Sequence, residues 1–220
     1  MYSLIRERLL QIQDDIAPCK PNIIAVTKYF DAQATVDAYN AGLRDFAEAR
    51  VKEATDKINS LPEYVRTNSR FHFIGHLQTN KVNKVVEYFD FIHSVDSLHL
   101  AQKISQSASA QNKIQKIFIE VNFAADDNKF GYSKDTLNSD FGEIIKLPNI
   151  EVLGLMSMAP FGADKNFLYD LYTNVISVQK ELSEKYSVNL PETSMGMSQD
   201  YIIAAKCGAT QLRIGRKLFT

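Results

Sequence analysis

Eight short apolar runs, separated by stretches of helical character, are the feature that most restricts how this chain can fold. The runs are IIAV (23–26), DFA (45–47), FHFI (71–74), FIHSV (91–95), IFIEV (117–121), VLGLM (152–156), a weak one at ETS (192–194), and QLRI (211–214). Eight strand–helix units in 220 residues give about 27 residues per unit, a spacing that suits parallel strands closed into a barrel. The sequence therefore predicts an α/β fold, a (β/α)8 TIM-type barrel that forms a single domain over 1–220.

The two ends of the chain complete this prediction. Ile5, Leu9, Ile12 and Ile16 recur at helical spacing and predict an extra amphipathic helix at the N-terminus. Only six residues follow QLRI (211–214), which predicts a short C-terminal end without an eighth helix. The N-terminal helix could cover the gap instead. An open doubly wound sheet is the alternative fold, and it is disfavoured because no G-x-G-x-x-G follows the first run.

The composition argues against several classes of protein. The net charge is −1, so nothing electrostatic indicates binding to nucleic acid or to an anionic membrane. No apolar run approaches the roughly 18 residues of a membrane-spanning helix, and the charged N-terminus MYSLIRERLLQIQDD does not fit a secretory signal. Two cysteines, and four histidines without an HExxH spacing, predict neither a disulfide framework nor a metal site. We therefore expect a cytoplasmic protein.

Polar residues collect at the predicted carboxyl ends of the strands, where barrels of this kind carry their chemistry. Lys28 directly follows the first run, where a lysine is either a solvated charge or an amine held at the mouth of a site. The other polar residues at this rim are Glu48, GHLQTNK (75–81), Ser94, Asp96, Asn122, Ser157, SMGMS (194–198), Arg213 and Gly215. Any one of them could be a turn residue or a helix cap, but their common position predicts a site.

Two of these loops suit a phosphate group. SMGMSQD (194–200) offers hydroxyls and backbone N–H groups before a helix expected to begin near Gln199. RIGRK (213–217) offers a second glycine turn with basic residues. The loops after the seventh and eighth strands are where this fold commonly binds phosphate. A lysine across the rim from a phosphate site suggests pyridoxal 5′-phosphate (PLP), whose aldehyde condenses with an amine.

Several segments of the chain resemble the pyridoxal phosphate homeostasis protein family, in the right order and over almost the whole length. They are AVTK (25–28), FHFIGHLQTNK (71–81), HSVDS (93–97), VNFAADDNKFGY (121–132), GLMSM (154–158) and SMGMSQDYIIAAKCGATQLRIGRKLF (194–219). The resemblance implies a fold like the barrel domain of alanine racemase, without the second domain of that enzyme.

The resemblance also implies which residues bind PLP. Lys28 matches the lysine that forms a Schiff base with the cofactor, and Arg213 matches an arginine near the pyridine nitrogen. The two phosphate-binding loops are matched by Ser194, Met195, Gly196 and Ser198 in the first and by Gly215 in the second. No catalytic residue and no metal ligand is implied.

Four positions depart from the pattern of the family. Ala47 and Ala49 stand where the family usually has glycine and asparagine, so any cofactor contact of that asparagine is lost or replaced. Arg216 stands where a small hydroxyl residue is common, which leaves the Gly215 turn intact but removes a side-chain contact to phosphate. His76 replaces what is often a proline, and its role is open.

The predicted function is PLP binding in intracellular vitamin B6 homeostasis, with PLP-dependent apo-enzymes as partners, in a monomer or weak dimer. An arginine can only donate hydrogen bonds, so a ring nitrogen facing Arg213 stays unprotonated and is a poor electron sink. That suits a carrier without turnover more than a transaminase. The alternatives are a PLP-dependent enzyme, such as an amino-acid racemase, and a class I aldolase-like enzyme in which Lys28 forms a Schiff base with a sugar phosphate.

Overall fold

The structure, a computed structural model, describes residues 2–123 and 130–220. Eight parallel strands close into a barrel in chain order. They are β1 Asn22–Val26, β2 Asp45–Glu48, β3 Arg70–Phe73, β4 Phe91–Val95, β5 Gln115–Val121, β6 Ile150–Ser157, β7 Glu192–Ser194 and β8 Gln211–Ile214. The barrel is closed by β1 and β8, which pair with Asn22 opposite Gln211 and Ala25 opposite Ile214. The predicted α/β barrel is confirmed.

Helices lie before, between and after the strands. They are α1 Tyr2–Asp15, α2 Ala32–Asn40, α3 Val51–Ser60, α4 Glu63–Thr67, α5 Val82–Tyr88, α6 Leu98–Ala110, α7 Lys134–Ile144, α8 Lys165–Tyr186, α9 Tyr201–Lys206 and α10 Arg216–Phe219. Side-chain caps fix where some of them begin, because a cap satisfies a backbone N–H that has no partner within the helix. The Asp31 carboxylate accepts from the backbone N–H of Ala34 at 2.9 Å, and the Ser97 hydroxyl accepts from Leu100 at 3.3 Å.

The N-terminal helix packs against the C-terminal end of the chain. Ile5, Leu9 and Ile12 form its buried face, as the spacing predicts. Nη1 of Arg8 donates to the carbonyl oxygen of Leu218 at 3.1 Å. The expectation that the six residues after β8 form no helix is wrong, since they form the single turn α10. Leu218 is fully buried, so even this short helix has an apolar anchor.

Apolar side chains form two clusters within the described residues. The larger lies between the strands and the helices. The smaller is made by Phe91, Phe118, Leu153 and Met156, and belongs to the barrel interior. The interior of the barrel is thus a packed core at this level.

The pairing of β5 with β6 contains a bulge. Ile117 lies opposite Val152, whereas the next residue, Phe118, lies opposite Gly154, so that Leu153 is an extra residue in β6. A Cβ atom at Gly154 would lie 1.7 Å from the backbone oxygen of Glu192. Only glycine therefore allows β6 to approach β7 this closely.

Candidate functional site

A cavity of about 590 Å³ opens at the carboxyl ends of the strands. Among the residues that line it are Lys28, Ser198, Arg213, Gly215 and Arg216. These residues come from the ends of β1 and β8 and from the loop after β7, which are neighbours only because the barrel closes. The cavity therefore collects an amine, two guanidinium groups and a hydroxyl at one end of the fold.

Lys28 occupies a tight turn that follows β1. The turn is closed by a hydrogen bond from the backbone N–H of Phe30 to the carbonyl oxygen of Thr27, at 2.9 Å. Lys28 itself is half-buried, and its Nζ atom lies 5.2 Å from the ring centroid of Tyr29. The amine is thus held at the edge of the cavity and beside an aromatic ring.

A buried ion pair fixes the backbone next to Lys28. Glu48, at the end of β2, is 3% exposed, and its Oε1 atom lies 2.6 Å from Nζ of Lys57 on α3. The same carboxylate accepts from the hydroxyl of Thr27 at 2.7 Å, while Lys57 Nζ donates to the Thr27 carbonyl oxygen at 2.7 Å. The hydroxyl and the carbonyl oxygen of Thr27, the residue before Lys28, are therefore held by one cluster.

The loops after β7 and β8 meet at Ser198. Its hydroxyl oxygen accepts from the backbone N–H of Gly215 at 3.3 Å and from that of Lys217 at 3.2 Å. On the other side of the loop, Oδ1 of Asp200 accepts from the backbone N–H of Met197 at 2.5 Å. Oδ2 of Asp200 accepts from the Tyr172 hydroxyl at 2.7 Å, so the loop is anchored to α8. The helix α9 begins at Tyr201 and not near Gln199 as expected, because Asp200 and the preceding residues form this turn.

Met195 and Gly196 lie at the start of the same loop and hold its backbone in place. Met195 is fully buried, and its N–H donates to the carbonyl oxygen of Gln211 at 3.1 Å. Gly196 has a φ of +88°, and a Cβ atom there would lie 2.5 Å from Cβ of Ala204. Its carbonyl oxygen accepts from the N–H of Arg213 at 3.0 Å. These two residues support the cavity through the backbone and do not line it.

Arg213 is 3% exposed and forms part of the cavity floor. Its Nη1 atom donates to the hydroxyl oxygen of Ser194 at 2.5 Å, and Nη2 donates to the carbonyl oxygen of Ser157 at 2.9 Å. Burial lowers the pKa of the guanidinium, although an arginine stays protonated at neutral pH. The guanidinium is thus held by contacts to β7 and β6.

Ser194 lies inside the barrel rather than at the cavity. It is fully buried, and besides contacting Arg213 its hydroxyl lies 2.8 Å from Nδ1 of His93. Nε2 of His93 lies 2.9 Å from Nδ1 of His72, and Nε2 of His72 lies 2.9 Å from Oδ1 of Asp45. Sequence reasoning missed Asp45, His72 and His93. The available signal was the presence of charged or histidine residues inside runs that otherwise predict buried strands.

The positions that depart from the family pattern lie in different places. Ala47 is fully buried in β2, and Ala49 lines a second cavity, of about 660 Å³, between β2 and β3. His76 lines that second cavity too, where its Nδ1 atom lies 3.3 Å from Asp96 and its ring stacks on Phe130. Arg216 is exposed at the first cavity, so a charged side chain replaces the small hydroxyl there.

Within 2–123 and 130–220 no three His, Cys, Asp or Glu side chains are grouped to hold a metal ion. No helix in the same ranges has the length and apolar character to cross a membrane. Part of the segment VNFAADDNKFGY, residues 124–129, lies outside the described residues.

The closed barrel, with a lysine after β1 and glycine-containing loops after β7 and β8, defines the class of protein. The family model of the alanine racemase N-terminal domain matches residues 2–220. The chain belongs to this family and, within it, to the pyridoxal phosphate homeostasis proteins. It is 38% identical over 202 residues to the pyridoxal phosphate homeostasis protein of Synechocystis, covering 92% of each chain. It is 35% identical over 197 residues to that of Aquifex aeolicus, covering 90% of this chain and 85% of the relative.

Solved structures are similar over the same length. PipY of Synechococcus elongatus without PLP has a TM-score of 0.92 and 35% identity, covering 98% of this chain and 100% of PipY. PipY with PLP bound has a TM-score of 0.90 and 34% identity, with the same coverage. An alanine racemase of Clostridium difficile has a TM-score of 0.79 at 14% identity, covering 99% of this chain and 56% of the racemase. That last likeness concerns the fold alone.

Proposed function

We propose that this protein binds PLP, holds it as a Schiff base on Lys28, and serves intracellular vitamin B6 homeostasis without catalytic turnover. The observation that carries the proposal is the cavity that brings Lys28, the Ser198–Gly215 loops and Arg213 together. PipY, of similar sequence and fold, has been solved with PLP bound. Relatives at 35–38% identity bear the name pyridoxal phosphate homeostasis protein.

The donor set of the cavity fits the chemistry of PLP. A phosphate dianion needs several N–H and O–H donors. The Ser198 hydroxyl can donate directly, and the backbone N–H groups of Gly215 and Lys217, which here donate to the Ser198 oxygen, would exchange that acceptor for a phosphate oxygen. The tight turn at Gly196, which no side chain could occupy without displacing Ala204, brings the loop backbone close to the site. The sequence resemblance assigned Ser194 to the phosphate. Its buried hydroxyl is bonded to Arg213 instead, so we assign the phosphate to Ser198 and Gly215.

The protein's own residues account for binding without turnover. The cofactor supplies an aldehyde that condenses with a primary amine, and Lys28 is the lysine at the cavity. Arg213 has only donors to offer, so a pyridine nitrogen that faces it must accept and remain unprotonated. An unprotonated pyridine withdraws electrons weakly, so the site favours holding the cofactor over stabilising a carbanion.

We further propose the setting of this function. The chain forms one PLP-binding domain over 1–220, as a monomer or weak dimer in the cytoplasm, and gives PLP to apo-enzymes that depend on it. Support comes from the partial exposure of Lys28. An aldehyde bound there can be reached by solvent or by another protein and released. Transfer is tested by mixing the loaded protein with an apo-enzyme and following the enzyme's recovered activity against an equal concentration of free PLP.

The decisive test of binding is the substitution Lys28→Ala. The unaltered protein should show PLP absorbance in the visible range and a covalent adduct after borohydride reduction, and Lys28→Ala should lose both. Lys81→Ala is the control, because Lys81 is exposed and lines the second cavity. Retention of the adduct in Lys28→Ala, on any other lysine, would refute the assignment. The absence of PLP absorbance in the unaltered protein would refute the proposed function itself.

A further inference from the structure

A chain of buried polar side chains runs through the barrel from its lower end to the cavity floor. Asp45 is the first residue of β2, where Oδ2 lies 2.6 Å from Nη2 of Arg70. From Asp45 the chain passes through His72, His93 and Ser194 to Arg213, with successive contacts of 2.9, 2.9, 2.8 and 2.5 Å. We call Asp45, His72, His93 and Ser194 the buried relay. All four are at most 2% exposed.

The Asp45 end and the neutral state of both rings set the direction of the hydrogen bonds. Arg213 can only donate, so Ser194 Oγ accepts from it and keeps its own proton free to donate to Nδ1 of His93. An ionised Asp45 can only accept, so Nε2 of His72 donates to it. In a neutral His72 the other nitrogen, Nδ1, has no proton, so Nε2–H of His93 donates to it, and a neutral His93 then accepts at Nδ1 from the Ser194 hydroxyl.

The charge states agree with this direction. Burial alone would raise the pKa of Asp45, but the hydrogen bonds from His72 and Arg70 outweigh it and hold the pKa below its usual value. Burial lowers the pKa of His72 against the opposing effect of Asp45. The pKa of His93 is well below its usual value because of burial first and then repulsion from His72 and Arg213. Both rings are therefore neutral, and each carries its proton on Nε2.

The rings of the relay are also held by packing. His72 stacks on Phe91, with the ring centroids 4.3 Å apart and the planes within 3° of parallel. His93 stacks on Phe118 at 4.4 Å. Neither imidazole can turn over without displacing an aromatic neighbour, so packing fixes which ring nitrogen faces which partner.

We propose that the buried relay is the positioning device for Arg213: it orients the guanidinium so that its remaining N–H groups face the ring nitrogen of bound PLP. The inference rests on the proposed function. The relay residues do not line the cavity, so in this proposal they act through Arg213. Arg213 is held by Ser194 on one side and by the Ser157 carbonyl on the other, which leaves the guanidinium little freedom to tilt.

The direction of the relay can be tested without cofactor. In ¹⁵N-labelled protein, long-range proton–nitrogen spectra distinguish the two neutral tautomers of histidine from the imidazolium. We expect His72 and His93 to be neutral Nε2–H tautomers at neutral pH, in the unaltered, ligand-free protein. Either ring found as an Nδ1–H tautomer or as an imidazolium would overturn the relay. This measurement needs no substitution, so it holds even if a variant fails to fold.

The effect on recognition is tested with Ser194→Ala and two ligands: PLP and its 1-deaza analogue, in which a C–H replaces the ring nitrogen. We expect Ser194→Ala to weaken PLP binding about 10-fold and to leave binding of the analogue unchanged, because only PLP uses the oriented guanidinium. Ser94→Ala is the matched control. Ser94 is equally buried in β4, and its hydroxyl has no hydrogen-bond partner among the described residues.

The outcomes separate the two proposals. Selective loss for PLP, absent from the Ser94→Ala control, supports the relay as the positioning device. Equal loss for both ligands would show that Ser194 only supports the fold, and no loss for either would show that Arg213 needs no positioning. Both results would overturn the inference and leave the proposed function standing. Failure of the unaltered protein to bind PLP would overturn the proposed function and, with it, the role of the relay in recognition.

Discussion

The hydroxyl oxygen of Ser198 lies 3.3 Å from the backbone nitrogen of Gly215 and joins the loop after β7 to the loop after β8. The same oxygen accepts from the N–H of Lys217, so one serine gathers two backbone donors. Two backbone N–H groups thus converge on one point where the loops meet, and an anion can replace the hydroxyl oxygen there as their acceptor.

Ser198→Ala should weaken PLP binding and spare the binding of pyridoxal, which lacks the phosphate. Loss of one hydroxyl from a charged acceptor costs roughly 1.5–3 kcal/mol, or about 10- to 100-fold in affinity. Titration of the variant with each ligand, followed by absorbance, measures the difference. An equal loss for PLP and pyridoxal would mean that Ser198 supports the fold or the ring rather than the phosphate.

Glu48→Gln should lower the free energy of unfolding by about 3 kcal/mol, because it leaves the ammonium of Lys57 buried without its counter-charge. Denaturation in urea measures the change. Glu87→Gln is the matched control, since Glu87 pairs with Lys84 on the surface at 3.2 Å and its removal should change stability little. Similar losses in both variants would contradict the view that the cluster beneath Lys28 is stabilising.

Stability should fall as the pH drops below about 6.5. His72 and His93 have folded pKa values below their usual 6.5, so the unfolded chain binds protons that the folded protein excludes. Their contribution is complete above the unfolded pKa, and it declines below that pH by up to about 1.4 kcal/mol per pH unit for each ring. Asp45, whose pKa is lowered, contributes stability that is lost only at a more acidic pH, as its own folded pKa is approached.

Urea denaturation at several pH values between about 7.5 and 5.5 tests this dependence. His99→Gln should keep the full dependence, because His99 is exposed on α6. His93→Gln should reduce the pH dependence of the free energy of unfolding, because the unfolded variant has one histidine fewer to bind a proton that the folded protein excludes. If the free energy of unfolding of the unaltered protein stays constant over this range, burial does not keep the rings of His72 and His93 neutral.

The loaded protein should not racemise alanine or serine faster than free PLP does. Racemisation needs an acid or base on each face of the α-carbon, and Lys28 can serve only one. The phenols of Tyr132 and Tyr201 are bonded to the carboxylates of Asp140 and Asp15, and both side chains are 4% exposed. Chiral chromatography of the amino acid measures the rate. Enzyme-like racemisation that disappears in Lys28→Ala would favour a racemase instead.

The barrel could be predicted from the sequence because most of its strands appear as short apolar runs. An apolar run such as IIAV (23–26) is bounded by turn residues, and the number and spacing of the runs then leave few folds. The single turn α10 was missed because four residues are too short for a helical period. Its stability comes from Leu218 and from the contact with α1, which are tertiary features.

The rim residues could be predicted for the same reason, since they follow strands whose ends are visible in the sequence. The buried relay could not. His72 and His93 lie inside the runs FHFI (71–74) and FIHSV (91–95), where apolar neighbours dominate the pattern. Whether an inward side chain of β7, such as Ser194, meets one on β4 or β8 depends on the closure and register of the barrel, and no local pattern encodes that.

The bulge in β6 shifts the alternation of inward and outward side chains by one residue. Val152 and Leu155 both pack with the helix layer, while Leu153 and Met156 pack inside the barrel, so inner and outer positions are counted anew after the extra residue. Deleting that residue would restore regular pairing but exchange the two faces of the strand on one side of it. Away from Gly154, a substitution in this strand leaves its two faces in place, whereas a change in the number of its residues exchanges them.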